Sequence, residues 1–230
     1  MTRLGRALVA VALAIPISTC GGSKTPTGPG SPGAGSGASC RTYPTVTSVA
    51  ATQSGLTINS QMTGTFDSAS KKSTTTSAFV IGGLCSTTVT NYNSVADFVD
   101  EVAVIPGVTL ATSNTTTNSA FCGTGIQAVT FTYDSQRRLT RFSSAGGTTT
   151  YTAWDSSGRP TAGSTNGITI SNVYDNTART LTQTQVANGA QTVTTITYDT
   201  NGNQVSSVVT GAGGGTTTTY TNTATATVCK

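Results

Sequence analysis

Apolar and polar residues alternate along much of the chain beyond Cys40. Phe131 and Val129, Ile170 and Ile168, and Ile196 fall at two-residue steps back from the aromatics Tyr133, Tyr174 and Tyr198. The positions between them are Thr130, Thr132, Thr169, Ser171, Thr195 and Thr197. A period of two puts successive side chains on opposite faces of a strand. One face is therefore apolar and aromatic, and the other is a lawn of threonine. From Cys40 to Thr90 the same alternation comes in short runs broken at Ser54-Gly55 and at Ser68 to Lys72, which predicts about three strands. One stretch changes period. Val95, Phe98, Val99 and Val102 stand at i, i+3, i+4 and i+7, and Ser94 with Asp97 three residues on makes a capping-box start. A short helix near 94–103 is expected, ending by Ile105 because Pro106 follows, with Phe98 and Val99 packed on a sheet.

From Val129 onward the chain repeats itself. Tyr133-Asp134, Trp154-Asp155, Tyr174-Asp175 and Tyr198-Asp199 recur at spacings of 21, 20 and 24 residues. Arg138, Arg159, Arg179 and Asn203 stand five residues after each aromatic, and Gly158 and Gly202 precede two of these. Each unit reaches a second turn at Gly146-Gly147, Asn166-Gly167, Asn188-Gly189 or Gly211 to Gly215. Asn-Gly between alternating runs is the strongest short-range hairpin signal, so each unit reads as two antiparallel strands with a turn at each end. The turn aspartate is suited to accept backbone amides two residues on, and a following glycine takes the positive φ that a bulged turn needs. Arg137 and Ala178 occupy that glycine place in two copies. Those turns should be strained by about 1 kcal/mol or differ in type.

The pattern Tyr-Asp, two residues, Gly-Arg, a polar strand and a glycine turn resembles the Tyr-Asp (YD) repeat of RHS proteins, whose large members build β-sheet shells around toxic cargo. It covers about 100 of the 230 residues, with Asp155-Ser156-Ser157-Gly158-Arg159 the fullest copy. The resemblance implies a repeat sheet at about 129–229. Four or five repeats are too few to close such a shell, so toxin delivery is not carried over. The expected fold is mainly β, an antiparallel meander of repeated hairpins with one short helix.

Composition sharpens this. Only 9% of residues are charged, there are 51 threonines, and histidine is absent, against about 25% charge in ordinary domains. Leu, Ile, Val and Phe number 42, but a net charge of +4 is too low for the disordered class. Thin, threonine-rich sheets remain. Histidine-dependent catalysis is excluded.

The N-terminus reads as an address. Arg3 and Arg6 precede an apolar run from Ala7 to Ile17, too short to span a bilayer and suited to a signal peptide over residues 1–19. Ile17-Ser18-Thr19-Cys20 resembles the bacterial lipobox, with Thr19 where Gly, Ala or Ser is usual, and implies that Cys20 is lipidated and becomes the new N-terminus. The membrane partner is then reached through that lipid, probing as far as a Gly/Pro/Ser tether over 20–39 allows, roughly 25 Å for a flexible coil. The expected location is the cell envelope, at the outer membrane, or outside the cell if Cys20 is not acylated. Without the leader the net charge is +2, which gives no footing for nucleic-acid binding.

Cys40, Cys85, Cys122 and Cys229 remain, an even set that predicts two disulfides in an oxidising compartment. Sequence leaves three connectivities, with Cys40–Cys229 and Cys85–Cys122 preferred because Cys40 and Cys229 lie at the two ends of the folded part. No metal site is expected, since the cysteines lack the close pairing of zinc ligands, and no cofactor is expected. Asp199, Asn201 and Asn203 mimic the start of a calcium loop, but Thr210 stands where its last ligand should be. Asp97 and Glu101, four apart on one helical face, are the remaining carboxylate pair that a glycosidase would need. Two functions follow. One is a non-enzymatic, lipid-anchored envelope protein whose 40–230 β domain is structural or binds an unknown protein or glycan. The other is a surface carbohydrate-binding module or carbohydrate-active enzyme using Asp97, Glu101 and exposed aromatics.

Overall fold

The computed structural model describes residues 40–79, 83–104, 110–119, 122, 124–199, 202–211 and 214–230. The leader, the tether, Cys20, Pro106 and Asn201 lie outside the described residues. The strands are β1 (Cys40–Gln53), β2 (Leu56–Asp67), β3 (Lys72–Phe79), β4 (Gly83–Asn91), β5 (Ser113–Asn118), β6 (Gly125–Tyr133) and β7 (Leu139–Ser144). They continue with β8 (Gly147–Trp154), β9 (Pro160–Thr165), β10 (Ile168–Asp175), β11 (Thr180–Ala187), β12 (Ala190–Tyr198), β13 (Gln204–Gly211) and β14 (Thr216–Cys229). Helix α1 (Val95–Val104) lies between β4 and β5.

Every strand pairs antiparallel with its sequence neighbour, and β14 returns to pair with β1, so the sheet closes into a barrel of 14 strands. The mainly antiparallel β architecture with one short helix matches the sequence pattern, but the meander does not stay open. Five strands before the repeat region supply what the repeats lack for closure. An even number of antiparallel strands lets the last meet the first in the correct direction. The region from Cys40 to Thr90 holds four strands, where the runs predicted about three.

The period-2 pattern sorts the wall into two faces. Val129, Ile170, Leu181 and Tyr198 are buried, whereas Thr130, Thr132, Thr169 and Ser171 are exposed. On the outer side threonines hydrogen-bond across strands, Thr52 with Thr57 at 2.8 Å and Thr42 with Thr227 at 3.0 Å. Thr63 and Thr76 share a third such bond. Such cross-strand hydroxyl pairs contribute a few tenths of a kcal/mol, about 0.2–1 each.

Turns alternate between the two rims. The glycine rim carries tight hairpins at Ser54-Gly55, Asn166-Gly167 and Asn188-Gly189, each with positive φ at both residues, the geometry of a type I′ turn that matches strand twist. The terminal rim carries Cys40, Cys229, the aspartate turns and α1. Ser94 Oγ accepts the Asp97 N–H at 3.0 Å and caps the helix as its spacing predicts. Phe98 and Val99 are buried with Tyr43, Tyr92 and Ala111, and Phe66, Phe131, Ala226 and Val228 pack around them. Helix and aromatics together form the core of this rim.

Candidate functional site

The terminal rim holds every predicted repeat residue, and its turns are built one on another. Asp134 Oδ1 accepts the Gln136 and Arg138 backbone N–H groups, both at 2.9 Å, and Oδ2 accepts Arg138 Nε at 2.7 Å. Asp155 repeats this with Ser157 and Arg159, Arg159 Nε standing at 2.5 Å. At Asp199 the Asn203 side chain replaces the arginine, donating to Oδ2 at 3.1 Å. Burial opposes the charge of Asp134, but the Arg138 backbone N–H, the Arg138 side chain and the Gln136 N–H outweigh it and hold the carboxyl below its ordinary range.

Each arginine then reaches the next copy. Arg138 lies over the Trp154 ring at 4.5 Å and Arg159 over the Tyr174 ring at 4.4 Å. The ring answers: Trp154 Nε1 donates to the Leu139 carbonyl at 3.0 Å, and Tyr174 Oη donates to the Pro160 carbonyl at 3.2 Å. Aspartate, arginine and the following aromatic therefore interlock neighbouring hairpins, combining a charge-assisted hydrogen bond with a cation–π contact.

The two copies without glycine diverge as their sequence requires. Arg137 itself takes the left-handed conformation, at φ 60°, in the place where Gly158 has 77° and Gly202 has 76°. Ala178 does not. There Arg179 takes it instead, at φ 54°, Asp175 Oδ1 accepts the Thr177 and Ala178 N–H groups, and Arg179 Nε donates to the Tyr198 carbonyl.

Two further copies escaped the sequence pattern. Phe66-Asp67 ends β2, with Lys71 at φ 56° and its carbonyl accepting the Tyr92 N–H, as the Arg179 carbonyl accepts that of Tyr198. Tyr92-Asn93 follows β4. Six of the seven even-numbered strands thus end on an aromatic followed by Asp or Asn. The seventh, β14, ends on Val228-Cys229, and a disulfide from Cys229 to Cys40 stands at that junction. The signal available in sequence was the aromatic-Asx pair alone, since neither extra copy carries Gly-Arg. The second disulfide joins Cys85 to Cys122 at the glycine rim.

The helix brings a separate set of charges. Asp97 is ion-paired with Arg137, and Asp100 with Lys230 at 2.5 Å. Arg41, almost wholly buried, donates from Nη1 to the Phe98 carbonyl at 2.7 Å with its guanidinium 4.0 Å above the Phe98 ring. Glu101 is buried beside Tyr92, whose phenol is pushed well above its ordinary value by burial and then by the Glu101 charge. Asp97 and Glu101 thus have different surroundings, one at a turn arginine and one in the core. Tyr198 is buried, Trp154 and Tyr174 are half-buried, and burial pushes the Tyr151 phenol up to about 12. Among the described residues no group of three or more His, Cys, Asp or Glu side chains is placed to hold a metal ion. Neither the family models nor the curated proteins compared with this chain match it.

Proposed function

We propose that this chain is a non-enzymatic envelope protein, exported and lipid-anchored through Cys20, whose barrel of YD-like hairpins is a structural or binding module related to the RHS repeat. The observation that carries this reading is the occupation of the repeat residues by one another. The arginines and aromatics that would make a ligand platform are engaged in holding adjacent hairpins together, under turn aspartates that already accept backbone amides. The carbohydrate-active alternative loses its main support on the same grounds, because Asp97 is taken by Arg137 and Glu101 lies in the core.

The anchor is tested by Cys20→Ser. The variant should leave the membrane fraction, and a variant that stays membrane-bound excludes lipidation at this residue. The enzymatic alternative is tested by replacing Asp97 and Glu101 with asparagine and glutamine. Any glycan-cleaving activity of the chain that disappears in a folded variant would restore it.

A further inference from the structure

The β1–β14 seam is longer than the barrel wall on one side of it. β14 pairs with β1 along its whole length, from Thr216–Gln53 to Cys229–Cys40, but β13 pairs with β14 only from Ser206–Thr219 to Val209–Thr216. Beyond this point the edge of β14 turned away from β1, over about Asn222–Cys229, has no ladder partner among the described residues. At about 3.3 Å per residue this is an open edge of roughly 25 Å.

The matching extension of β1 is protected. Pro44 interrupts its donors, its carbonyl lies against Gly64 of β2 so closely that a Cβ there would meet it at 2.8 Å, and the Phe66 N–H is bonded to the Tyr43 hydroxyl. β14 lacks two of the usual protections, as Asn222-Thr223-Ala224-Thr225-Ala226-Thr227-Val228 contains no proline and no charge, although its pairing with β1 shifts register around Ala224. Thr223, Ala224, Thr225 and Thr227 are exposed. Continuing the β13–β14 register brings Asn203 opposite Asn222, and the Asn203 side-chain oxygen is buried there without a hydrogen-bond partner.

We propose that this edge pairs with the same edge of a second copy of the chain, by antiparallel strand addition. The reasoning for a second copy is self-complementarity. About a two-fold axis through Thr225, that residue meets its own counterpart, Thr223 meets Thr227 of the second copy, and Ala224 meets Ala226 of the second copy. The outer row is then threonine against threonine, the pair this sheet already uses at Thr42–Thr227 and Thr52–Thr57. No like charges face each other, and a two-fold contact of this kind closes at a dimer. The inference does not depend on the lipid anchor or on the RHS likeness.

The test is the oligomeric state of the mature chain, by light scattering across a dilution series, beside Thr225→Lys. The substituted side chain is on the outer face, so the barrel keeps its core, while two lysines meet at the two-fold. A dimer whose dissociation constant rises roughly tenfold in Thr225→Lys is expected. A chain that is monomeric throughout, or a dimer that Thr225→Lys leaves unchanged, overturns the proposal. Thr225→Cys supplies a second readout, since it should give a disulfide-linked dimer under oxidation while Thr132→Cys, on the outer wall of β6, gives none. Equal cross-linking at both positions overturns the site.

Discussion

The two rims of the barrel turn the chain by different means. At the glycine rim the reversals rest mainly on backbone conformation: Asn166-Gly167 and Asn188-Gly189 take positive φ at both residues, the Asn166 side chain adds one bond to the Gly146 carbonyl of the neighbouring turn, and nearby Leu56, Leu84 and Ile126 stand exposed, Ile126 at 73%. At the terminal rim a reversal involves its neighbours. Asp155 folds its own turn, Arg159 bonds to it, and the guanidinium then covers Tyr174 of the next hairpin. The first kind of turn needs two permissive residues and, apart from the Asn166 bond to Gly146, stabilises one hairpin. The second needs three residue types at fixed spacing and ties hairpins into a ring, which explains why the repeated chemistry and the core are found at the same rim.

Removing the two disulfides separately gives the largest expected losses. By loop-closure entropy, loss of Cys40–Cys229, spanning 189 residues, should cost about 5 kcal/mol, and loss of Cys85–Cys122, spanning 37, about 4. Urea unfolding of the two serine double variants beside the unsubstituted chain measures both losses, and a Cys40→Ser, Cys229→Ser midpoint equal to that of the unsubstituted chain would mean that the seam is held by its ladder without help from the bond. Next in size is Phe98→Ala at the terminal rim, expected to cost about 3–5 kcal/mol. Its counterpart at the other rim, Ile126→Ala, should stay within about 0.5 kcal/mol. Similar losses at both sites would erase the distinction between a packed rim and an open one.

Asp155→Ala should cost about 2–3 kcal/mol, because it leaves Arg159 buried without its carboxylate, whereas Asp175→Ala, with no arginine bonded to its carboxylate, should cost about 1 kcal/mol. Thermal unfolding reads both. The smallest effect is with pH. The Asp134 carboxyl is held below its ordinary value of 3.8, so its contribution is present above that value and is lost as pH falls through it toward the folded value. Stability should therefore decline below about pH 4, and Asp134→Asn should flatten that decline.

The strand faces were legible where period-2 burial is written into the repeat, as in β6 and β10: Phe131, Val129 and Ile170 point inward and Thr130, Thr132 and Thr169 outward, whereas in β12 Thr195, Ile196 and Thr197 are all half-buried. The helix was legible from Ser94, Phe98 and Val99 for the same reason, a local pattern with a local cause. Closure was not, because the pairing of β1 with β14 depends on residues more than 160 positions apart and on how far five irregular strands carry the sheet around. The first two copies were missed because the part they keep is an aromatic beside Asp or Asn, a pair too common to signal alone. Arg41 gave no signal either. Its role depends on the ribbon of β1 and β14 covering Phe98, which appears only once the ends of the chain are brought together.

Amide hydrogen exchange followed strand by strand on the full chain tests most directly that the domain is one closed ring. Closure predicts that the amides of β1 facing β14 exchange as slowly as those between β11 and β12, in a single cooperative unit that Cys40→Ser and Cys229→Ser weaken as a whole. Exchange of β1 to β5 well before β6 to β14, with β14 behaving as a free edge along its entire length, would contradict it and leave an open repeat sheet beside a separate N-terminal segment.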